Sequence, residues 1–392
     1  MLDIPAYRLH EELAKNSLPS WQLSRRHSLD VFEKVGFPVR LSMLCQLRLL
    51  LNTMQEGRFD LFMQELGGFT EEDMAIFVKA CHDLIKFQCY YFSEYEPIIP
   101  FDSLMAPFLI YQKIRSIKKD FKTILEIGPG CGYLSLFLKN LPSLQNYSQI
   151  EACESFYLLQ HHINQFAFGN QFEQTLFPKK IIGSHFYAAE YADVSKHLLT
   201  DRSVRGDFIT VNAPSAPKVA LQYPWWNIGS LVHSDIQFDV VTSNANLSEF
   251  TPAALEDYLS LIQSKLASDG IFFVQCFGGG SVAGRTINYV MQRLFDFGFA
   301  PVFIALEGTS KATVEWITHD QFLGPVTGDN RSFVLSNAVF VGNEHKLFKE
   351  CYRPENFRNG YFARISGLRE AFFPDKTQRS LFDKEAILSY LS

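Results

Sequence analysis

The 392-residue sequence has no excess of positive charge, because 42 aspartates and glutamates outnumber its 36 lysines and arginines. The formal net charge of −6 at pH 7 disfavours binding to the phosphate backbone of nucleic acids. The sequence also lacks a run of about 18 uncharged apolar residues, the length that a membrane-spanning helix needs. We therefore expect neither a nucleic-acid partner nor a membrane partner.

Cysteine is scarce, and none of the seven cysteines stands in a C-x-x-C motif. Their odd number argues against a complete disulfide framework, so a reducing compartment fits best. Residues 1–21 contain acids and prolines where a secretory signal needs an apolar run. We expect a cytoplasmic protein. The histidines and acids show no recognisable metal-ligand spacing, so no metal is predicted.

Hydrophobic residues make up 47% of the chain, a content that supports a large buried core. A chain of this length exceeds what one core usually organises, which predicts more than one part. We interpret residues 1–120 as a mainly helical cap that contributes to substrate binding. Residues 121–342 form the core domain in this interpretation, with an aromatic insertion near 213–235. We assign no role to the C-terminal tail, residues 343–392.

Three segments of the cap have distinct patterns. Thr70 and Asp73 have the spacing of a capping box, so a helix is predicted to begin there. Residues 41–54 are apolar on nearly all sides, which predicts a buried helix. Residues 93–108 contain three prolines and are predicted to form a linker or a binding loop.

From about residue 121, short strand-like runs alternate with runs of helical spacing. The strand-like runs are KTILEI (122–127), YSQIEA (147–152), DFITVN (207–212), FDVVTSN (238–244) and GIFFVQCF (270–277). Such alternation is typical of βαβ units. We therefore predict an α/β fold with a Rossmann-like core, in which helices cover both faces of a mostly parallel sheet.

The first of these strands ends in a glycine-rich loop that a helix follows at once. Glycines let such a loop turn tightly and approach a ligand, and the helix offers free N–H groups. The loop residues with candidate roles are Glu126, Gly128, Pro129, Gly130 and Gly132. Their E-x-G-x-G-x-G spacing differs from the dinucleotide fingerprint G-x-G-x-x-G, and a P-loop lysine is absent. The alternative is a glycine-rich turn without a ligand.

This strand, loop and helix resemble motif I of the class I S-adenosylmethionine (SAM) dependent methyltransferases. The resemblance spans roughly residues 121–300 and implies SAM as the cofactor, with Glu126 helping to hold its methionine ammonium group. Glu151, 19 positions after Gly132, resembles the motif II acid that binds the ribose hydroxyls. Its alternative is an exposed acid at a strand end, and Glu154 is a weaker ribose candidate. The strand 238–244 resembles motif IV, which implies that Asn244 lies beside the cofactor.

The segment after that strand indicates which chemical group accepts the methyl. Residues 243–247 read Ser-Asn-Ala-Asn-Leu where nucleic-acid N-methyltransferases commonly place N/D-P-P-Y/F, so a base amino group is disfavoured. A looser resemblance connects the sequence with a bacterial sugar O-methyltransferase group. The acids retained from that group's pattern are Glu151, Glu154 and Glu249, and the positions that depart from it are Cys153, Ser243, Asn246 and Phe250. This resemblance implies methylation of a hydroxyl on a small, sugar-like molecule.

A hydroxyl acceptor needs a base, and three residues are candidates. Glu249 follows the motif IV strand, but it has the alternative of a helix first-turn charge. His233 and Asp235 lie in the loop before that strand, where a solvated role is the alternative.

An aromatic group in the insertion is the candidate for substrate contact. Tyr223, Trp225 and Trp226 predict a platform that stacks on a sugar ring or covers the cofactor. The alternative is that the two tryptophans fill the contact with the N-terminal helices.

Two other functions stay open at the level of sequence. One is an N- or C-methyltransferase that acts on another metabolite or on a protein. The other is a SAM-binding partner subunit without catalysis. A homo-oligomer is compatible with either.

Overall fold

The computed structural model describes residues 4–17, 39–53, 57–176, 218–232, 234–247, 250, 252–275, 287–305, 337–358, 361–362, 367–372 and 374–391. Strands within these ranges form one nine-stranded sheet in the order β3-β4-β2-β1-β5-β6-β8-β7-β9. The strands are β1 (Thr123–Ile127), β2 (Asn146–Glu151), β3 (Phe172–Gln174), β4 (Ala220–Pro224), β5 (Phe238–Asn244), β6 (Leu266–Gln275), β7 (Ala300–Ala305), β8 (Asn337–Val341) and β9 (Tyr361–Phe362).

The sheet is parallel from β3 through β6, whereas β8, β7 and β9 join it antiparallel. Because β1 lies between β2 and β5, the carboxyl ends of these three strands meet at one edge. The predicted α/β, Rossmann-like fold is confirmed. The predicted strand 207–212 lies outside the described residues.

Helices surround this sheet. They are α1 (Ile4–Ser17), α2 (Phe59–Leu66), α3 (Glu71–Tyr91), α4 (Phe101–Ile117), α5 (Leu134–Leu138), α6 (Glu154–Phe168), α7 (Ile228–Val232), α8 (Pro252–Lys265), α9 (Ile287–Asp296), α10 (Phe348–Cys351), α11 (Pro354–Arg358), α12 (Leu368–Phe372) and α13 (Lys384–Ser389). The capping box predicted at Thr70 and Asp73 begins α3, and each side chain accepts from the other's backbone N–H. Within the described part of the chain, no helix is long and apolar enough to cross a membrane.

The structure corrects three predictions about local structure. The buried helix predicted within residues 41–54 is a short 3-10 helix, Leu44–Leu50, which buries Leu47 and Leu50 but leaves Met43 and Leu49 60% and 66% exposed. The second half of the predicted loop 93–108 belongs to α4, which accommodates Pro107 in its interior. The segment interpreted as an insertion near 213–235 contains β4, a strand of the core sheet that pairs with β2 and β3.

The C-terminal tail, which had no predicted role, packs against the N-terminal helices. Ser380 forms an antiparallel bridge with Phe69, and Arg379 donates to Asp73 at 3.0 Å. Lys384 forms an ion pair with Asp102 in α4 at 2.8 Å. The tail therefore fixes α4, the helix that covers the carboxyl edge of the sheet.

Candidate functional site

The glycine-rich loop leaves β1 at the shared carboxyl edge and adopts a conformation that suits glycine. Gly128, Gly130 and Gly132 have φ values of +63°, +58° and +78°, a region that side chains with a Cβ rarely adopt. A Cβ on Gly128 would lie 2.5 Å from the Asn246 side chain, and one on Gly132 would lie 2.8 Å from Cγ of Gln160. A Cβ on Gly130 would meet no atom within 4 Å. Gly130 thus presents bare backbone to open space, which permits close approach of a ligand.

The loop is held in place by the segment that follows β5. Asn246 donates from Nδ2 to the carbonyls of Ile127 and Gly128, at 2.8 and 3.2 Å. Its neighbour Ala245 has a φ of +62°, the one positive φ of a non-glycine residue in the described chain. Such strain persists only where the surroundings impose it, and it concentrates at functional sites.

Glu126 is buried at the end of β1, with 5% of its surface exposed. Its Oε2 accepts hydrogen bonds from the Tyr147 hydroxyl and, at 3.4 Å, from Nε2 of Gln149. Burial raises the pKa of Glu126 to about 7, although these two hydrogen bonds act in the opposite direction. Both bonds fall on Oε2, which leaves Oε1 without a hydrogen-bond partner among the described residues.

Glu151 is the second buried carboxylate and ends β2. Its Oε1 accepts from the backbone N–H groups of Ala152 and Cys153, both at 2.8 Å. Its Oε2 accepts from Nε2 of Gln160 at 2.9 Å. Burial raises the pKa of Glu151 to about 7 despite these donors. The carboxylate is therefore fixed in one orientation beside the loop.

A segment of the N-terminal region covers the loop from the other side. The Tyr133 hydroxyl donates to the Leu51 carbonyl at 2.6 Å, and Sγ of Cys131 contacts the Leu50 carbonyl at 3.2 Å. Thr53, in the same N-terminal segment, lines a cavity whose open space totals about 780 Å³, including its open mouth.

All seven residues predicted to bind the cofactor line this cavity. They are Glu126, Gly128, Pro129, Gly130, Gly132, Glu151 and Asn244. The other walls are the N-terminal half of α4 and the segment that follows β5. The geometry brings the predicted set together, and its role in binding SAM stays a prediction.

Glu154, the weaker ribose candidate, forms its hydrogen bonds with the N-terminal region instead of facing the cavity. Its carboxylate accepts from Arg8 at 2.8 and 2.9 Å, from Arg40 at 2.6 Å and from the backbone N–H of Leu41 at 3.1 Å. Burial acts to raise the pKa of Glu154, but these charged and backbone donors outweigh it and hold the pKa below its usual value. Glu154 therefore anchors α1 and the segment 39–53 to the start of α6.

The described residues include one of the three candidate bases. Glu249 and His233 lie outside the described residues. Asp235 is exposed in the loop before β5, and it does not line the cavity. For all three residues, a catalytic role stays a prediction.

The aromatic group predicted to contact substrate is buried in the core instead. Tyr223, Trp225 and Trp226 are 5%, 0% and 4% exposed, and none of them lines the cavity. Trp226 packs edge-on against Tyr7 of α1, with ring centroids 5.0 Å apart, and donates from Nε1 to the Leu176 carbonyl. Trp226 thus contacts an N-terminal helix as the packing alternative for the two tryptophans expects, and contact of the three residues with substrate stays a prediction.

Sequence reasoning missed several polar residues of the site. Gln160 joins Glu151 to the Gly130 carbonyl, which lies 2.6 Å from its Nε2. Tyr147 and Gln149 hold Glu126 from inside β2. No spacing rule separates these buried polar residues from solvated ones, so a signal in the sequence could not have identified them.

No protein-family model matches the sequence, and no curated protein is detectably similar to it. Among solved structures, the plantazolicin methyltransferase BpumL in complex with S-adenosylhomocysteine (SAH) is 13% identical, with a TM-score of 0.34, and the alignment covers 70% of this chain and 98% of that one. The N-methyltransferase NodS from Bradyrhizobium japonicum is 9% identical, with a TM-score of 0.31 and coverages of 59% and 85%. A spermidine synthase in complex with the transition state analogue AdoDATO is 11% identical, with a TM-score of 0.33 and coverages of 70% and 74%. Likeness at this level carries no conclusion about activity.

Proposed function

We propose that this protein is a SAM-dependent methyltransferase that methylates a hydroxyl group of a small, sugar-like molecule. One observation carries the proposal. At the carboxyl edge of a parallel sheet, a single cavity combines the bare backbone at Gly130 with two buried carboxylates, Glu126 and Glu151. Ligands of open α/β sheets bind at this edge.

The site has groups that fit the two polar ends of SAM. Glu126 has acceptor capacity left on Oε1, which suits the methionine ammonium group. An ammonium there would also stabilise the ionised form of a carboxyl whose pKa is otherwise raised to about 7. Glu151, held by the N–H groups of Ala152 and Cys153 and by Gln160, would accept the ribose hydroxyls. The open space at Gly130 leaves room for the ligand between them.

When bound, SAM supplies a methyl group activated by a sulfonium. The chain itself must exclude water, orient the acceptor and accept the hydroxyl proton. Thr53 and the N-terminal half of α4 line the cavity, and Leu50 and Leu51 contact the loop, so these elements serve the first task. Glu249 and His233 remain the candidates for the base. The loose resemblance to the sugar O-methyltransferase group, which retains Glu151, Glu154 and Glu249, supports a hydroxyl acceptor.

We expect the acceptor to be a small molecule and not a nucleic acid, because the net charge is −6. Cytoplasmic location also stays part of the proposal. Formation of SAH from SAM in the presence of monosaccharides and other small hydroxyl compounds tests the activity. Mass spectrometry and NMR of the product then identify the methylated atom. A methyl group on nitrogen or carbon would replace the O-methylation part of the proposal, and absence of any SAH would contradict the enzymatic part.

A further inference from the structure

Helix α4 has a proline on the face that lines the candidate cavity. The residues of α4 that line the cavity are Ser103, Ala106, Pro107 and Ile110. Their spacing of three and four residues places them on one face of the helix. Residues 101–110 are all buried except Pro107, which is half-buried. Pro107 therefore lies where this face of α4 meets the open space of the cavity.

Pro107 deprives one backbone carbonyl of its helical donor. In an α-helix the carbonyl of residue i accepts from the N–H of residue i+4, and proline has no N–H. The carbonyl affected is that of Ser103, in the first turn of α4. No N–H or O–H group outside α4 replaces the donor within the described part of the chain. Ser103 is 4% exposed, and a buried carbonyl without a partner costs free energy.

The side chain of Ser103 already has a partner within the protein. Its Oγ donates to the Thr53 carbonyl at 3.0 Å, and Thr53 lines the cavity as well. This bond fixes Thr53 beside the first turn of α4. Because the hydroxyl hydrogen is used there, Ser103 offers a ligand in the cavity hydrogen-bond acceptors and no donor.

The face of α4 is a wall of the cavity that contains none of the proposed SAM-binding residues. Those residues lie in the glycine-rich loop and at the ends of β1, β2 and β5, where Glu126 is 5% exposed and its Oε1 has no partner among the described residues. Methyl transfer requires the acceptor to lie in line with the sulfonium of SAM, and hence in the same cavity. The face of α4 is thus available to the acceptor.

We infer that the Ser103 carbonyl, left without its helical donor by Pro107, accepts a hydrogen bond from a hydroxyl of the methyl acceptor. It thereby selects acceptors that carry a donor at this position. A hydroxyl can donate to the carbonyl, whereas a carboxylate or an ether oxygen cannot and would leave it buried without a partner. Ala106 and Ile110, on the same face, offer only apolar side chains. This inference rests on the proposed function.

The first test is the stability of Pro107→Ala, and it needs no acceptor. Alanine supplies the N–H that the Ser103 carbonyl lacks, so we expect the Tm to rise by about 2 °C or more. Pro100→Ala is the matched control, because Pro100 is the N-cap of α4, where an added N–H gains no helical partner. Its Tm should not rise. A fall in Tm for Pro107→Ala would contradict the inference, since Pro107 would then serve packing.

The second test is turnover of the full-length protein with neutral monosaccharides and methyl glycosides. Pro107→Ala should lower kcat/KM about 10-fold or more, mainly through KM, while SAH affinity changes less than about 2-fold. Pro107→Val also supplies the N–H but restores most of the ring volume, so it should lose as much activity. Wild-type kcat/KM in either variant would overturn the inference. Loss in Pro107→Ala alone would mean that the ring, and not the carbonyl, contacts the acceptor.

Deoxy analogues of the best acceptor then identify the hydroxyl that donates to the carbonyl. Removal of that hydroxyl should lower kcat/KM about 10-fold with the wild type but less than about 2-fold with Pro107→Ala, because the bond is already absent there. Equal losses with both proteins for every analogue would refute the inference. A loss of SAH affinity as large as the loss of kcat/KM would assign the carbonyl to the cofactor instead. Failure to bind SAM, or no SAH formation with any acceptor, would overturn the proposed function itself.

Discussion

Gln160 fixes Glu151 and the glycine-rich loop to each other. Its Nε2 donates to Oε2 of Glu151 at 2.9 Å and lies 2.6 Å from the carbonyl of Gly130. Two elements that are 21 residues apart in sequence are thereby joined through a third, helix α6. The acid that would bind the ribose and the loop that would contact the rest of SAM thus depend on one amide for their relative position.

Gln160→Met should therefore weaken SAH binding about 10-fold, because methionine keeps the length of the side chain but cannot donate to Glu151. Isothermal titration calorimetry measures the change. Gln165→Met on the same helix is the control, since Gln165 is exposed and bonds only weakly to the Gly169 carbonyl at 3.4 Å. Equal affinities for wild type and Gln160→Met would show that Gln160 does not position the site.

The conformation of the glycine-rich loop gives a second prediction, for which another glycine of the same chain serves as the control. Gly130 and Gly57 both have a positive φ and open space where a Cβ would stand, but Gly130 lines the cavity and Gly57 does not. Substitution by alanine should destabilise each variant by about 1 kcal/mol through backbone strain. Gly130→Ala should in addition weaken SAH binding 10-fold or more, because its Cβ occupies ligand space. Comparable SAH affinities for the two variants would contradict the assignment of the loop.

The raised pKa values predict how SAM binding depends on pH. Glu126 and Glu151 each have a pKa of about 7 in the free protein, and the ionised forms are the ones that accept from an ammonium and from hydroxyls. Affinity for SAH should therefore rise as the pH increases from 6 to 8, which calorimetry at each pH measures. Glu126→Gln and Glu151→Gln should each bind more weakly and with a shallower pH dependence. An affinity that falls with increasing pH would contradict the assigned roles.

The same shift has an opposite consequence for the stability of the free protein. The pKa of Glu126 is about 7 when folded and near its model-compound value of 4.5 when unfolded, so the folded state binds the extra proton between these values. Stability from this group is therefore lost as the pH rises from 4.5 through 7. The Tm of Glu126→Gln relative to wild type should increase between pH 5 and pH 8. A Tm difference that is constant or decreases would show that Glu126 is not buried as described.

The anchor at Glu154 gives a prediction about the segment 39–53, in which Thr53 lines the cavity. Glu154→Gln removes a buried charge that Arg8 and Arg40 share, so unfolding should become easier by about 2–4 kcal/mol. SAH binding should weaken as well, because the segment loses its attachment to α6. Asp269→Asn, which breaks an exposed ion pair with Lys118, is the control and should cost less than about 1 kcal/mol. Equal losses in both variants would contradict the anchor.

Local features of the fold and the site were predictable from the sequence. The strand, the glycine spacing and Glu151 follow one another within about 30 residues, and their geometry is set by the turn itself. Strand β8 was not predictable, because the register that pairs Gln275 with Asn337 connects residues 62 positions apart. The tryptophan pair was ambiguous for a related reason. Whether Trp226 faces a ligand or Tyr7 depends on where α1 packs, and a local sequence pattern does not predict that position.

The most direct test of the central claim is calorimetric titration of the purified full-length protein with SAM and SAH, with NAD as the control ligand. The account predicts micromolar binding of both sulfur ligands, no binding of NAD, and loss of SAM and SAH binding in Glu151→Ala with the fold retained. Binding of NAD instead, or no binding of SAM and SAH to the wild-type protein, would contradict it.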